Sequence, residues 1–167
     1  MRGSVLVFVI AAAVAVSACG QKKQTVVSNG STSVTTETHP DGTQSYTVTD
    51  AKGGAQFTMG SGAGASAKMP DYAPLYPGAT VETSVNVGGK EAGGSVVLKT
   101  SAAPDAVIDF YKKSTTSAGM TAVLSMVSGD TTTFSAKDDK TKRVVSVIAN
   151  KTDGATNVQV TWSNTGG

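Results

Sequence analysis

Catalysis, if this chain performs any, has to be built from few groups. There is one histidine and one cysteine. A Ser/His/Asp arrangement would have to use His39, which sits in the turn signal His39-Pro40-Asp41-Gly42 inside a Thr/Ser-rich stretch. Nothing apolar nearby would orient the ring, so His39 is expected to be a solvated turn residue. A Ser–Lys nucleophile is excluded because no Ser-x-x-Lys spacing occurs anywhere. Gly62-Ala63-Gly64-Ala65-Ser66-Ala67 matches the dinucleotide-binding pattern in letters alone. Lys68-Met69-Pro70 follows it in place of an apolar helix, so it is expected to be a linker. Asp138-Asp139 is followed by Lys140, Lys142 and Arg143, which would repel a cation and suit a charged hairpin tip. One Cys excludes an intramolecular disulfide framework and a Cys-rich zinc centre. No catalytic residue and no metal ligand is therefore assigned. With 14 Lys+Arg against 12 Asp+Glu, the chain also lacks the basic footprint of a nucleic-acid partner.

Aromatic groups are the other candidates. Tyr72 and Tyr76, in a proline-rich segment, form either a ledge for a peptide or glycan or a staple fixing that segment to the sheet. Phe110 and Tyr111 are adjacent, so one is expected to face the sheet and the other the rim. Tyr72, Tyr76, Tyr111 and Lys112 make up the candidate interaction surface, and Lys112 with Lys113 also reads as a solvated helix face.

The elements that must position these groups follow from periodicity. With 23 Thr, 18 Ser and 19 Gly among 167 residues, apolar runs are sparse and stand out. Residues 69–167 carry most of the folding signal. Val81, Val85 and Val87 share one strand face, and Ser95 to Thr100 gives a second strand. Pro104-Asp105 opens a helix carrying Val107, Ile108, Phe110 and Tyr111, and Gly119 stops it. Strands are expected at Thr121–Val127, Thr131–Ala136, Arg143–Ala149 and Thr156–Trp162, joined by turns at 128–130, 138–140 and 153–154. The expected class is α+β: an antiparallel sheet of about six strands, ββαββββ, with one helix packed on one face. Residues 45–59 suggest a short hairpin or meander and 60–68 a Gly/Ala/Ser linker. Residues 19–44 contain too few apolar residues for a core and read as a flexible tether.

The N-terminus gives the sharpest signal. Arg2 precedes twelve uncharged apolar residues, Val5 to Val16. As a helix these rise about 18 Å, short of a ~30 Å hydrocarbon core, so a secretory segment fits better than a membrane span. The tetrapeptide Val16-Ser17-Ala18-Cys19 resembles the lipobox of bacterial lipoproteins. That resemblance implies removal of residues 1–18, a diacylglycerol on the Cys19 sulfur and an N-acyl chain on the new amino terminus. Gly20 and Gln21, not an acidic residue, follow Cys19, which resembles the pattern exported to the outer membrane, facing the periplasm. No other cofactor is implied.

Two further likenesses concern the C-terminal part. Pro74-Leu75-Tyr76-Pro77-Gly78-Ala79, Val107-x-x-Phe110-Tyr111-Lys112 and Gly119-Met120 are similar to a small domain of uncharacterised bacterial envelope lipoproteins. The element order is similar to the helix-grip domains of a lipoprotein of the outer-membrane β-barrel assembly machinery, an analogy of topology alone. The expected function is a non-enzymatic, membrane-anchored envelope lipoprotein whose domain meets a protein or cell-wall partner. The alternatives are a structural or surface-coat lipoprotein without a dedicated partner, or an enzyme.

Overall fold

The computed structural model describes residues 22–28, 32–39, 44–50, 55–61, 68–89 and 92–164. Residues 1–18, Cys19 and residues 62–67 of the expected linker lie outside the described residues. In chain order the elements are β1 (Lys22–Ser28), β2 (Thr32–Thr38), β3 (Gln44–Asp50), β4 (Ala55–Ser61), β5 (Thr80–Gly89) and β6 (Ala92–Thr100). They continue with α1 (Pro104–Ser117), β7 (Thr121–Ser128), β8 (Thr131–Asp138), β9 (Arg143–Thr152) and β10 (Ala155–Asn164).

The strands form one antiparallel sheet of ten, in the order β1-β2-β3-β4-β5-β6-β10-β9-β8-β7. This overturns the expected six-stranded sheet. Lys22–Ser28 and Thr32–Thr38, read from the sequence as flexible tether, are strands, and β4 joins them to the rest by pairing with β5. The physical reason lies in the residue types. Thr and Val are β-branched and favour extended backbone even where they bury little. Strands too polar to form a core alone extend an existing edge, because each neighbour supplies backbone partners. The register aligns Val34, Val48, Phe57 and Val87 in one row across β2 to β5.

After β6 the chain leaves the middle of the sheet, crosses it as α1 and re-enters at the far edge as β7. It then meanders back through β8 and β9 until β10 pairs with β6. The α1 start suits Pro104, whose fixed φ is already helical, and Asp105, whose charge favours the positive end. Asp105 Oδ1 also accepts a 3.1 Å hydrogen bond from Thr132 Oγ1, tying that end to β8. At the other end Gly119 adopts φ 75°, and Gly119 N and Met120 N donate to Thr116 O and Thr115 O at 3.0 Å each. This is a Schellman stop, which the left-handed glycine permits.

Beneath α1 the core is contiguous. Val107, Ile108 and Tyr111 descend onto Phe134 and Ala136 of β8 and Val145, Val147 and Ala149 of β9. Val158, Val160 and Trp162 of β10 and Val96 and Leu98 of β6 complete it. Burying one such Val, Leu, Ile or Phe side chain is worth roughly 1.5–3 kcal/mol.

Candidate functional site

Residues 68–79 lead into β5 as a strap over the helix-side face. Ala73 N donates to Pro70 O at 2.9 Å and Ala79 N to Tyr76 O at 3.1 Å, so two tight turns shape it. Tyr72 and Ala73 are buried in the core. The Arg143 guanidinium lies 5.1 Å from the centre of the Tyr72 ring, a cation–π contact. Arg143 is itself held on three sides. Its Nη2 donates to Asp138 Oδ2 at 2.7 Å and to Ala118 O at 3.2 Å, and its Nε to Thr141 Oγ1 at 2.7 Å. Asp138 also accepts from Thr141 Oγ1, at 2.6 Å, and from the amides of Lys140 and Thr141. The hydrogen bonds from Thr141 and then Arg143 hold its carboxyl well below the usual carboxylate range. Burial raises the Tyr72 phenol, and the Arg143 charge partly offsets that.

A second aromatic chain runs from the strap to the helix. Tyr76 meets Phe110 edge-on with centroids 5.2 Å apart, and Phe110 meets Tyr111 at 5.1 Å. Tyr111 is fully buried. Among the described residues its hydroxyl has no hydrogen-bond partner of ordinary geometry, although the Tyr76 backbone lies close enough to favour the phenolate slightly. Burial dominates and pushes its phenol far above its ordinary value.

The four residues of the candidate surface therefore divide. Tyr72 and Tyr111 are core residues and present no open ledge, and Tyr76 is half-buried as a staple. Lys112 reaches Asp109 at 3.7 Å on the outer helix face, where both side chains are solvated and the pair contributes little.

Beyond the strap the same sheet face opens into a cleft of about 510 Å³. Register neighbours Thr47, Thr58 and Asn86 lie across it, with Tyr72 and Trp162 toward the core and Glu37 and His39 toward the outer strands. His39 Nε2 lies 3.2 Å from Ser45 Oγ, and Thr47 Oγ1 lies 3.4 Å from Thr58 Oγ1. The His39–Ser45 contact was missed from sequence. Its signal was the His39-Pro40-Asp41-Gly42 turn lying between two β runs, since the β2–β3 register that follows sets Ser45 opposite Glu37 and so beside His39. The cleft offers hydroxyl, amide, imidazole and carboxylate groups to a polar ligand. Among the described residues no three His, Cys, Asp or Glu side chains are grouped to hold a metal ion. No described helix is long and apolar enough to cross a membrane.

An antiparallel sheet closing over one long helix, β5 through β10 with α1 between, defines the class of this domain. A START domain-like family model matches residues 80–164, which is that unit and just over half of the 167 residues, so the chain belongs to this START domain-like family. No curated protein and no solved structure matches the chain.

Proposed function

We propose that the chain is a non-enzymatic bacterial envelope lipoprotein that presents its START domain-like unit to a protein or cell-wall partner. The observation that carries this is the ordered set Arg2, Val5 to Val16 and Val16-Ser17-Ala18-Cys19. Residues 1–18 are removed, and Cys19 carries a diacylglycerol and an N-acyl chain. Two or more chains anchor a protein stably where a single one does not. Gly20-Gln21 favours the outer membrane, with the domain facing the periplasm.

The strands alter the geometry of this anchor. β1 begins at Lys22, three residues after Cys19, and three extended residues reach only about 10 Å. The sheet edge is therefore held against the bilayer, not at the end of a long flexible tether. Lys22 and Lys23 each gain about 1 kcal/mol from anionic head groups there. The opposite edge, β7, lies nine strand spacings away, about 43 Å along the sheet.

Growth with a clickable palmitate analogue tests the anchor. Wild-type chain should be labelled and recovered with membranes, while Cys19→Ala should be unlabelled and keep residues 1–18. Equal label on both, or none on the wild type, would sink the proposal.

A further inference from the structure

We propose that the outer face of β2–β5, the face turned away from α1, lies against the lipid bilayer that holds Cys19. This builds on the Cys19 anchor proposed above and gives the anchored chain one orientation. Two register rows make up the face. One is Thr36, Tyr46, Met59 and Val85, and the other Val34, Val48, Phe57 and Val87. Neither row contains a charged residue. Tyr46 (41%), Met59 (43%) and Val87 (38%) are exposed. Past β5 the first row turns polar, continuing through Ser95, Thr161, Ser146 and Ser135. These hydroxyls engage one another: Ser95 Oγ lies 3.4 Å from Thr161 Oγ1, and Ser135 Oγ donates to Ser146 Oγ at 3.1 Å. Exposed apolar patches mark contacts with a protein, a ligand or a membrane.

Where the chain enters the sheet selects the occupant. β1 starts three residues after Cys19, and Tyr46 and Met59 stand two and three strand spacings from β1, about 10–14 Å. A lipid on Cys19 therefore keeps the bilayer beside this face at all times, whereas any other partner has to diffuse to it. Lys22 and Lys23 open β1 at the same side of the sheet and suit anionic head groups. A tyrosine, with an apolar ring and a polar tip, suits the boundary between acyl chains and head groups. The far end of the outer face also exposes apolar side chains, Ile148 of β9 among them (40%). Ile148 lies seven spacings from β1, about 34 Å. Neighbouring strands are also rotated by about 20–25°, so between β3 or β4 and β9 the face turns by about 80–125°. One flat surface cannot touch both ends, and the anchor decides for β2–β5. The cleft opens on the opposite face of the same strands and is thereby turned to the aqueous side.

Tethering in vitro tests this without relying on what cells attach. Cys19 is the only cysteine, so the chain from Cys19 to Gly167 couples at one site to maleimide-bearing lipid. The vesicles are phosphatidylethanolamine with phosphatidylglycerol, prepared with and without brominated acyl chains, which quench tryptophan on contact. Wild type, whose one tryptophan, Trp162, packs on the helix side, supplies the background. Tyr46→Trp should lose emission to the brominated chains beyond that background. Ile148→Trp should match the background. Adding Met59→Glu should remove the Tyr46→Trp quenching while leaving circular dichroism unchanged, since the side chain is exposed. The bilayer contact is overturned by an unquenched Tyr46→Trp, by equal quenching of Ile148→Trp, or by quenching that survives Met59→Glu. Palmitate labelling decides the anchor separately. An unlabelled wild type removes the anchor and with it this orientation in cells, whereas an unquenched Tyr46→Trp in the tethered chain removes the contact alone.

Discussion

Followed across the sheet, one register row on the helix side passes through Thr35, Thr47, Thr58 and Asn86, then Gly94, Trp162, Val145 and Ala136. The neighbouring row on the other face passes through Val34, Val48, Phe57 and Val87, then Gly93, Ser163, Val144 and Lys137. The apolar side of the sheet changes at the β5/β6 boundary. In the half under α1 it faces the helix and is buried; in the β2–β5 half it faces away, and Tyr46, Met59 and Val87 remain exposed. A continuous hydrogen-bonded sheet is thus not a continuous core. Ladder hydrogen bonds contribute only about 1 kcal/mol each net of water, so the large differences in stability come from burial.

The strongest way to break this comparison is to remove one buried side chain from each half. Phe134→Ala, in a site only 1% exposed, is expected to cost about 3–5 kcal/mol. Val48→Ala, half-buried on the other half, should cost at most about 1 kcal/mol. Urea unfolding of both variants reads the difference. Equal losses would show that the β2–β5 half has a core of its own.

At the boundary itself the expected effect is smaller. A Cβ on Gly94 would lie 2.6 Å from the Val85 carbonyl oxygen and 2.9 Å from the Trp162 indole Cε2. Gly94→Val therefore has to displace either the β5 backbone or the Trp162 ring. Overpacking of this kind costs about 1–3 kcal/mol. A blue or red shift of Trp162 fluorescence in the folded variant would show that the ring is what moves, and an unchanged midpoint would contradict the contact.

What could be read from sequence follows the same division. Val158, Val160 and Trp162 alternate with Asn157, Gln159 and Thr161, because β10 has one face in the core; the helix stop at Gly119 was equally plain. In Thr32–Thr38 no face is deeply buried, and there as in Lys22–Ser28 composition signals tether while Thr and Val propensity signals strand. Only pairing to a neighbour, invisible in one sequence, decides for strand. The sheet was undercounted for that reason. Of the candidate surface, Tyr76 could be read only as ledge or staple, since its proline-rich setting does not choose between them and its contact with Phe110 of the helix is not visible in the sequence. The burial of Tyr111 was legible only as one of two choices, since Phe110 beside it has the same chemistry. Arg143 was read as part of a charged tip and the start of a strand, and its contact with Tyr72 was not seen because it joins residues 71 positions apart.

That charged tip gives a pH-dependent test. The Asp138 carboxyl is held below its unfolded value near 3.9, so its stabilising contribution is full above about pH 4 and is lost as pH falls toward the folded value. Stability should therefore be flat in this respect from neutral pH to about pH 4 and decline below it. Asp138→Asn should lower the midpoint at neutral pH and flatten the acid limb. An acid limb as steep in the variant as in wild type would place the responsible carboxylate elsewhere.

The smallest expected effect has the opposite sign and sits on β5, between the two halves. Ser84 is 1% exposed on the helix side, opposite Val96, and its hydroxyl has no hydrogen-bond partner among the described residues. A buried hydroxyl without a partner loses its hydration and gains nothing in return. Ser84→Ala should therefore raise the unfolding free energy, by about 1 kcal/mol. The substitution keeps the small volume that the β4–β5–β6 register allows at this point, where Gly60 is its neighbour on the other side. If Ser84→Ala instead destabilises, the hydroxyl is bonded in solution. The polar row of Thr47, Thr58 and Asn86 would then extend by one hydrated position under the strap, and the core would end at β6.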